Sequence, residues 1–265
     1  MARRQVDQYA VVTLSAAAVV GFAAGQYASV RIGGAESSML LRRALWIREA
    51  TAGGRYGGTL EVVADLREPG AAWLAAQPES APVDVIAPLG RPFPLPRDAV
   101  SCLLVGFGTG NAPLIRLAED LVARGSRVRF LMLGEQPAFG ALAVRRYSAE
   151  VVDLSGESGD WGSAVARALG DSTDLVYSAG GPRALRDVAA SAAQSGVAHR
   201  AAVATELVCG SGTCTACAIP VRGRDSVTRM VRACAEGPVF DADLVRWADL
   251  GTVPGDCLGA AGEQL

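Results

Sequence analysis

The chain contains no lysine; all 25 of its basic residues are arginines. That absence excludes Schiff-base chemistry, a phosphate-loop lysine and any lysine general base. Histidine is almost missing too, with His199 the single example, so the chain alone cannot supply a two-histidine metal site or a two-histidine iron–sulfur centre. His199 sits in an Ala-Arg context with no Gly-x-Ser-x-Gly elbow upstream, which leaves a Ser-His-Asp hydrolase unsupported and reads as an ordinary strand-edge residue. Excess positive charge is lacking as well: 25 basic residues face 27 acidic ones, a net charge of −2, and no basic stripe remains for nucleic acid. No apolar run reaches about 18 residues without a polar break, so no membrane span is expected. The N-terminus imitates a secretory signal, with Met1-Ala2-Arg3-Arg4 ahead of a mostly apolar stretch from Tyr9 to Ala24. Asp7 interrupts that pattern, and Gln8–Val12 and Gln26–Ile32 read as two strands instead.

What is present divides in three. The length of 265 residues leaves room for roughly two domains of about 100–200 residues each, and ordinary cores need no staples. Residues 1–97 are short β-rich runs broken by Gly33-Gly34, Gly53-Gly54, Gly57-Gly58, Pro69-Gly70 and Pro88-Leu89-Gly90, the texture of a small antiparallel barrel. The stretch Arg91-Pro92-Phe93-Pro94-Leu95-Pro96 cannot lie inside a sheet and links to the next unit. Residues 98–200 change character. Val100 to Val105 is an apolar run suited to a buried parallel strand, followed by Gly106-Phe107-Gly108-Thr109-Gly110. Leu114, Leu117, Ala118, Leu121 and Val122 then recur at helical spacing between Pro113 and Gly125, and Arg127–Leu133 is a second strand. A strand at Leu175–Ser178, the loop Gly180-Gly181-Pro182 and a helix from Arg183 to about Ala193 extend this into a doubly wound α/β domain. Residues 201–265 carry five of the six cysteines.

Four of the six cysteines fall at Cys209, Cys214, Cys217 and Cys234, spaced C-x4-C-x2-C-x16-C. The first three match the plant-type [2Fe-2S] spacing, and the small residues Gly210, Ser211, Gly212 and Thr213 let backbone N–H groups turn toward the sulfurs. A structural zinc ion is the competing reading, although zinc ligands commonly come as two short hooks and this chain has one. Such thiols suit a reducing compartment, and a cytoplasmic protein is expected. Cys102 and Cys257 lie outside the pattern. In the glycine loop, bare amides at Gly106, Gly108, Thr109 and Gly110 lead into a helix start at Pro113, which suits a dinucleotide pyrophosphate. The bland alternative is a tight helix–strand packing turn. Glu135, after the second strand, is either a ribose ligand favouring NAD or a solvated loop acid. No catalytic acid, base or nucleophile stands out.

The run Glu206-Leu207-Val208-Cys209-Gly210-Ser211-Gly212-Thr213-Cys214-Thr215-Ala216-Cys217, with Cys234-Ala235-Glu236-Gly237-Pro238-Val239-Phe240-Asp241, resembles the electron-transfer subunit of the two-subunit, NAD-dependent dihydroorotate dehydrogenase of pyrimidine biosynthesis. Gly25-Gln26-Tyr27, Leu41-Arg42-Arg43 and Pro88-Leu89-Gly90-Arg91-Pro92-Phe93 follow that family's order, and the glycine loop with Gly181 and Pro182 corresponds to its pyridine-nucleotide site. The resemblance implies a flavin-binding β-barrel, a ferredoxin-reductase-type nucleotide domain and a [2Fe-2S] domain. It further implies FAD, NAD(H), and a flavin-dependent catalytic partner in a heterotetramer of two copies of each subunit.

The departures fall in the flavin half. Arg43-Ala44-Leu45-Trp46 stands for the family's Arg-Pro-x-Ser, placing an indole where a small hydroxyl residue meets the flavin. Asp65 and then Glu68-Pro69-Gly70-Ala71 stand for a basic residue and Gly-x-Gly-Thr, so only Gly70 survives of the phosphate-facing features. A carboxylate about 4 Å from a pyrophosphate charge costs about 1–4 kcal/mol, depending on screening. Arg43, Leu45, Trp46, Gly70 and Ala71 are nonetheless the implied flavin contacts. Gly180 replaces a cysteine before the family's Gly-Pro. These changes leave open a paralogue with a degenerate flavin site, an accessory or interaction subunit of another redox enzyme, for instance in specialised biosynthesis.

Overall fold

The computed structural model describes every residue except 17–20, 35–36, 55–56, 158, 206 and 260–265. The N-terminal unit holds β1 (Ala2–Val6), β2 (Tyr9–Ala16), β3 (Tyr27–Val30), β4 (Arg43–Gly54), β5 (Gly57–Asp65), α1 (Pro69–Ala76) and β6 (Val85–Leu89). Its strands form one antiparallel sheet in the order β1-β2-β5-β4-β3-β6. Period-two alternation divides its residues between two cores. Ala10, Val12, Leu14, Ala28, Val30, Leu45, Ile47, Leu60 and Val62 pack with Leu74 and Ala75 of α1. Their neighbours Tyr9, Val11, Tyr27, Trp46 and Val63 turn the other way and join the core of the rest of the chain. The apolar stretch that resembled a signal therefore lies partly in β2, where Tyr9–Val12 are buried; residues 17–20 are outside the described set.

The second unit runs through β7 (Ser101–Phe107), α2 (Asn111–Ala123), β8 (Arg127–Leu133), α3 (Ala141–Val144), β9 (Glu150–Asp153), α4 (Trp161–Leu169), β10 (Leu175–Gly180), α5 (Pro182–Gln194) and β11 (Ala198–Val203). These five strands are parallel in the order β11-β10-β7-β8-β9, a doubly wound sheet whose direction of winding reverses between β7 and β10. Both faces of β7 are covered, which is why its sequence is continuously apolar. Leu114, Leu117, Ala118 and Leu121 of α2 are all fully buried, each leucine contributing roughly 1.5–3 kcal/mol. His199 is not at a strand edge: it is completely buried in β11, with Nε2 2.7 Å from Ser178 Oγ. The C-terminal strand that follows covers that edge.

The last segment adds the hairpin β12 (Ala218–Arg222) and β13 (Thr228–Arg232), α6 (Ala233–Glu236) and β14 (Val239–Asp241). β14 pairs antiparallel with β11, so the cysteine-bearing tail is stitched into the α/β sheet. The proline-rich link is fixed as well: Phe93 N–H donates to Ala24 at 2.8 Å, and the Phe93 and Tyr177 rings meet edge-on at 5.5 Å. No helix among the described residues is long and apolar enough to cross a membrane.

Candidate functional site

The four clustered cysteines converge because of the β12–β13 hairpin. Its register sets Ala218 opposite Arg232, so Cys217 and Cys234, just outside the paired residues, become neighbours across the 16-residue gap. Cys234 N–H donates to Cys217 Sγ at 3.4 Å, and Ser211 N–H donates to Cys209 Sγ at 3.4 Å. Gly210 and Gly212 adopt left-handed φ of +68° and +79°, the conformation that lets this loop coil around a sulfur. Partial burial opposes ionisation of Cys209, but N–H groups of Cys214 and Ser211 outweigh it and bring the thiol to about 5. Burial pushes Cys234 up to about 12, with the Cys217 thiol beside it adding to the shift.

Cys217 and Cys234 are held together by the hairpin, and backbone N–H groups are donated to the Cys209 and Cys217 sulfurs. Four thiols with N–H groups turned toward their sulfurs are the donor set of a [2Fe-2S] cluster, and the residues fit the two-iron group. Cys102 is buried in β7, where burial pushes its thiol up to about 12, and Cys257 is buried near the C-terminus. Neither joins the four.

The two glycine loops meet at the switch point. The turn Gly108–Gly110 follows β7 and Gly181 precedes α5, so both open at the carboxyl ends of adjacent parallel strands. A Cβ on Gly110 would collide with the Ala179 carbonyl, and one on Gly106 with the Asn111 side chain. Those two glycines serve close packing, whereas Gly181 faces open space. No side chain caps the first turn of α2 or of α5; the Asn111 amide of α2 bonds back to the Gly108 and Thr109 carbonyls, whereas the positive end of α5 stays open to an anion. Pro182 occupies the first turn of α5, where a missing N–H costs nothing, and Pro113 is buried in the first turn of α2. Gly180, in the second glycine loop, leaves the space against which the Phe107 side chain lies. Glu135 is exposed after β8, as a solvated loop acid is.

A cavity of about 180 Å³ joins the three units. Tyr27, Leu45, Trp46 and Glu68 line it from the N-terminal unit, Thr109 from the glycine loop, and Thr205 and Leu207 from the segment leading to Cys209. Its aromatic and aliphatic walls suit a flat heteroaromatic ring, and the buried Thr205 hydroxyl has no partner among the described residues, an orphan that a ring nitrogen or carbonyl would satisfy. The Tyr27 hydroxyl reaches the other way, donating to the Cys234 carbonyl at 3.2 Å. Burial, reinforced by the Cys234, Cys217 and Cys209 thiols, raises its pKa far above the ordinary value. Glu206, first residue of the cysteine motif, lies outside the described residues.

Beside this cavity the sequence reading missed a helix. Pro69-Gly70 reads as a turn, yet Pro69 begins α1 and Glu68 is its N-cap; an acid immediately before a proline is a helix-start signal that would have found it. Glu68 accepts from Ala71 N–H at 2.6 Å and from Arg43 Nε at 2.9 Å. Against the cost of partial burial, Arg43 and the Ala71 and Gly70 amides hold the Glu68 carboxyl below its ordinary range. Gly70 lies under Ile32 and Arg43, with no room for a Cβ.

Comparison with known proteins agrees with this geometry. Residues 205–246 match the family model for the iron-sulfur cluster binding domain of dihydroorotate dehydrogenase B. Over 230 residues the chain is 31% identical to the electron transfer subunit of NAD(+)-dependent dihydroorotate dehydrogenase B of Geobacillus kaustophilus, covering 83% of this chain and 86% of that one. The chain belongs to this family. The corresponding subunit of Listeria monocytogenes is 29% identical over 174 residues, a match spanning 62% of this chain and 66% of the relative's length. Among solved structures, a chain of an NADH-dependent reduced ferredoxin–NADP oxidoreductase superposes with a TM-score of 0.77 at 20% identity, over 94% of this chain and 89% of that one. The ferredoxin reductase of carbazole 1,9a-dioxygenase does so with 0.58 at 18%, over 74% and 64%. These two likenesses establish a ferredoxin-reductase-like fold.

Proposed function

We propose that this member of the dihydroorotate dehydrogenase B electron-transfer family passes reducing equivalents between NAD(H) and a flavin-dependent catalytic subunit. The carrying observation is contiguity. One cavity is lined by Thr109 of the nucleotide loop, by Trp46 and Tyr27, and by the segment entering the cysteine loop, while Tyr27 hydrogen-bonds Cys234. On this reading Gly106, Gly108, Thr109, Gly110, Pro113, Gly181 and Pro182 form the nucleotide-binding loops. The α5 amides orient the dinucleotide by its phosphates, and Phe107 packs over Gly180 between the two loops. Arg43, Leu45, Trp46, Gly70 and Ala71 border the flavin slot; Cys209, Cys214, Cys217 and Cys234 hold the [2Fe-2S] cluster. When bound, FAD and the cluster supply the conversion of a two-electron hydride into single electrons that a partner flavin accepts.

Cys214 is exposed, so the partner docks against its loop. The family suggests a heterotetramer, and six free cysteines suit the cytoplasm. The units follow residues 1–97, 98–200 and 201–265, with β14 returning from the third into the second sheet.

Anaerobic purification with iron, sulfide, zinc and flavin analysis tests the reading. Two irons and two labile sulfides per chain, a red-brown spectrum and its bleaching by NADH once FAD is supplied are expected. A colourless zinc protein would overturn it.

A further inference from the structure

We propose that Glu68 is a built-in competitor for the pyrophosphate of FAD, so that this chain holds FAD as a weakly bound, exchangeable ligand. The proposal rests on the flavin-slot reading above and names the residue that sets its selectivity.

At this corner an anion would be received by Arg43 and by the N-terminal amides of α1. Both are already engaged by one carboxylate, Glu68, through Arg43 Nε at 2.9 Å and Ala71 N–H at 2.6 Å. The other nearby cation is neutralised too: Arg67 Nη2 lies 2.5 Å from Asp65 Oδ2, with Arg67 Nε 2.9 Å from Asp65 Oδ1. A pyrophosphate arriving here meets the Arg43 and Arg67 guanidiniums already paired with carboxylates. To bind, it must displace Glu68 from the helix or lie against it as a like charge, and either course weakens binding. A neutral flavin without phosphate escapes the penalty altogether, and this separates a charge effect from an effect on slot shape.

The test is equilibrium dialysis of the full-length, cluster-loaded chain against FAD and, separately, riboflavin, for the wild type, Glu68→Ser and Glu68→Gln. Serine keeps a capping oxygen without charge, and glutamine keeps the size, so α1 is retained in at least one variant. Both variants should bind FAD at least about tenfold more tightly, while riboflavin affinity changes by less than about twofold. Stoichiometric FAD in the purified wild type with an unchanged Kd in both variants would overturn the proposal. Equal strengthening for the two flavins would do so as well. Failure of all three proteins to bind either flavin would overturn the slot itself, while the iron and sulfide content of the same samples judges the electron-transfer reading separately.

Discussion

Three helix N-termini of this protein are finished differently. α2 and α5, at the switch point of the parallel sheet, have no side-chain cap; α1, at the edge of the antiparallel unit, is closed by Glu68. An uncapped helix end forgoes about 1 kcal/mol of capping stabilisation and keeps its amides for a ligand. A capped end takes the stabilisation and gives up the ligand. The switch-point end of this protein is built in the first way and the end of α1 in the second.

The comparison has meaning only if electrons leave through the cysteines, which sets the largest expected effect. Cys214→Ser should abolish the visible absorption of the cluster and electron delivery to an acceptor, while circular dichroism shows the sheets intact; full activity without iron would remove the cluster from the path. Next comes the packing between the two switch-point loops. Gly110→Ala drives a methyl into the Ala179 carbonyl and should cost about 1–3 kcal/mol in denaturant unfolding. Gly181→Ala meets open space and should stay within about 0.5 kcal/mol of wild type.

The comparison can also be inverted. Gly181→Asp would give α5 the finish that α1 has. It should stabilise the fold by about 0.5–1 kcal/mol and weaken NADH binding by about tenfold, read as Kd by calorimetry. Unchanged NADH affinity would mean that the α5 terminus does not face the dinucleotide. The last effect is absent at neutral pH and lies away from all three termini. His199 is buried, and burial, helped by Arg200, lowers its pKa from 6.5 to about 3. The unfolded chain therefore takes up a proton that the folded chain refuses. The stability that depends on neutral His199 is complete above pH 6.5 and is lost as pH falls toward 3. His199→Gln should flatten that part of a melting-temperature profile.

Much of this architecture was legible because its signals are local. The apolar run of β7, the stripe Leu114-Leu117-Ala118-Leu121 and the closely spaced Cys209, Cys214 and Cys217 each declare themselves within about a dozen residues. α1 was not read, because Pro69-Gly70 looks like a turn when Glu68 is not recognised as a cap. His199 was taken for an edge residue because β14, which covers β11, arrives 36 residues later in the chain.

By itself the sequence determined the class of chemistry: four spaced thiols, no lysine, one histidine, and glycine loops after apolar strands. Tertiary structure decided what each piece faces. It set Cys217 beside Cys234 by closing a hairpin and brought Thr109, Trp46 and Thr205 to one cavity. It also set Glu68 on Arg43, 25 residues away. Spacing along a chain fixes which groups are available; a charge acts through distance in space, and folding alone sets that distance.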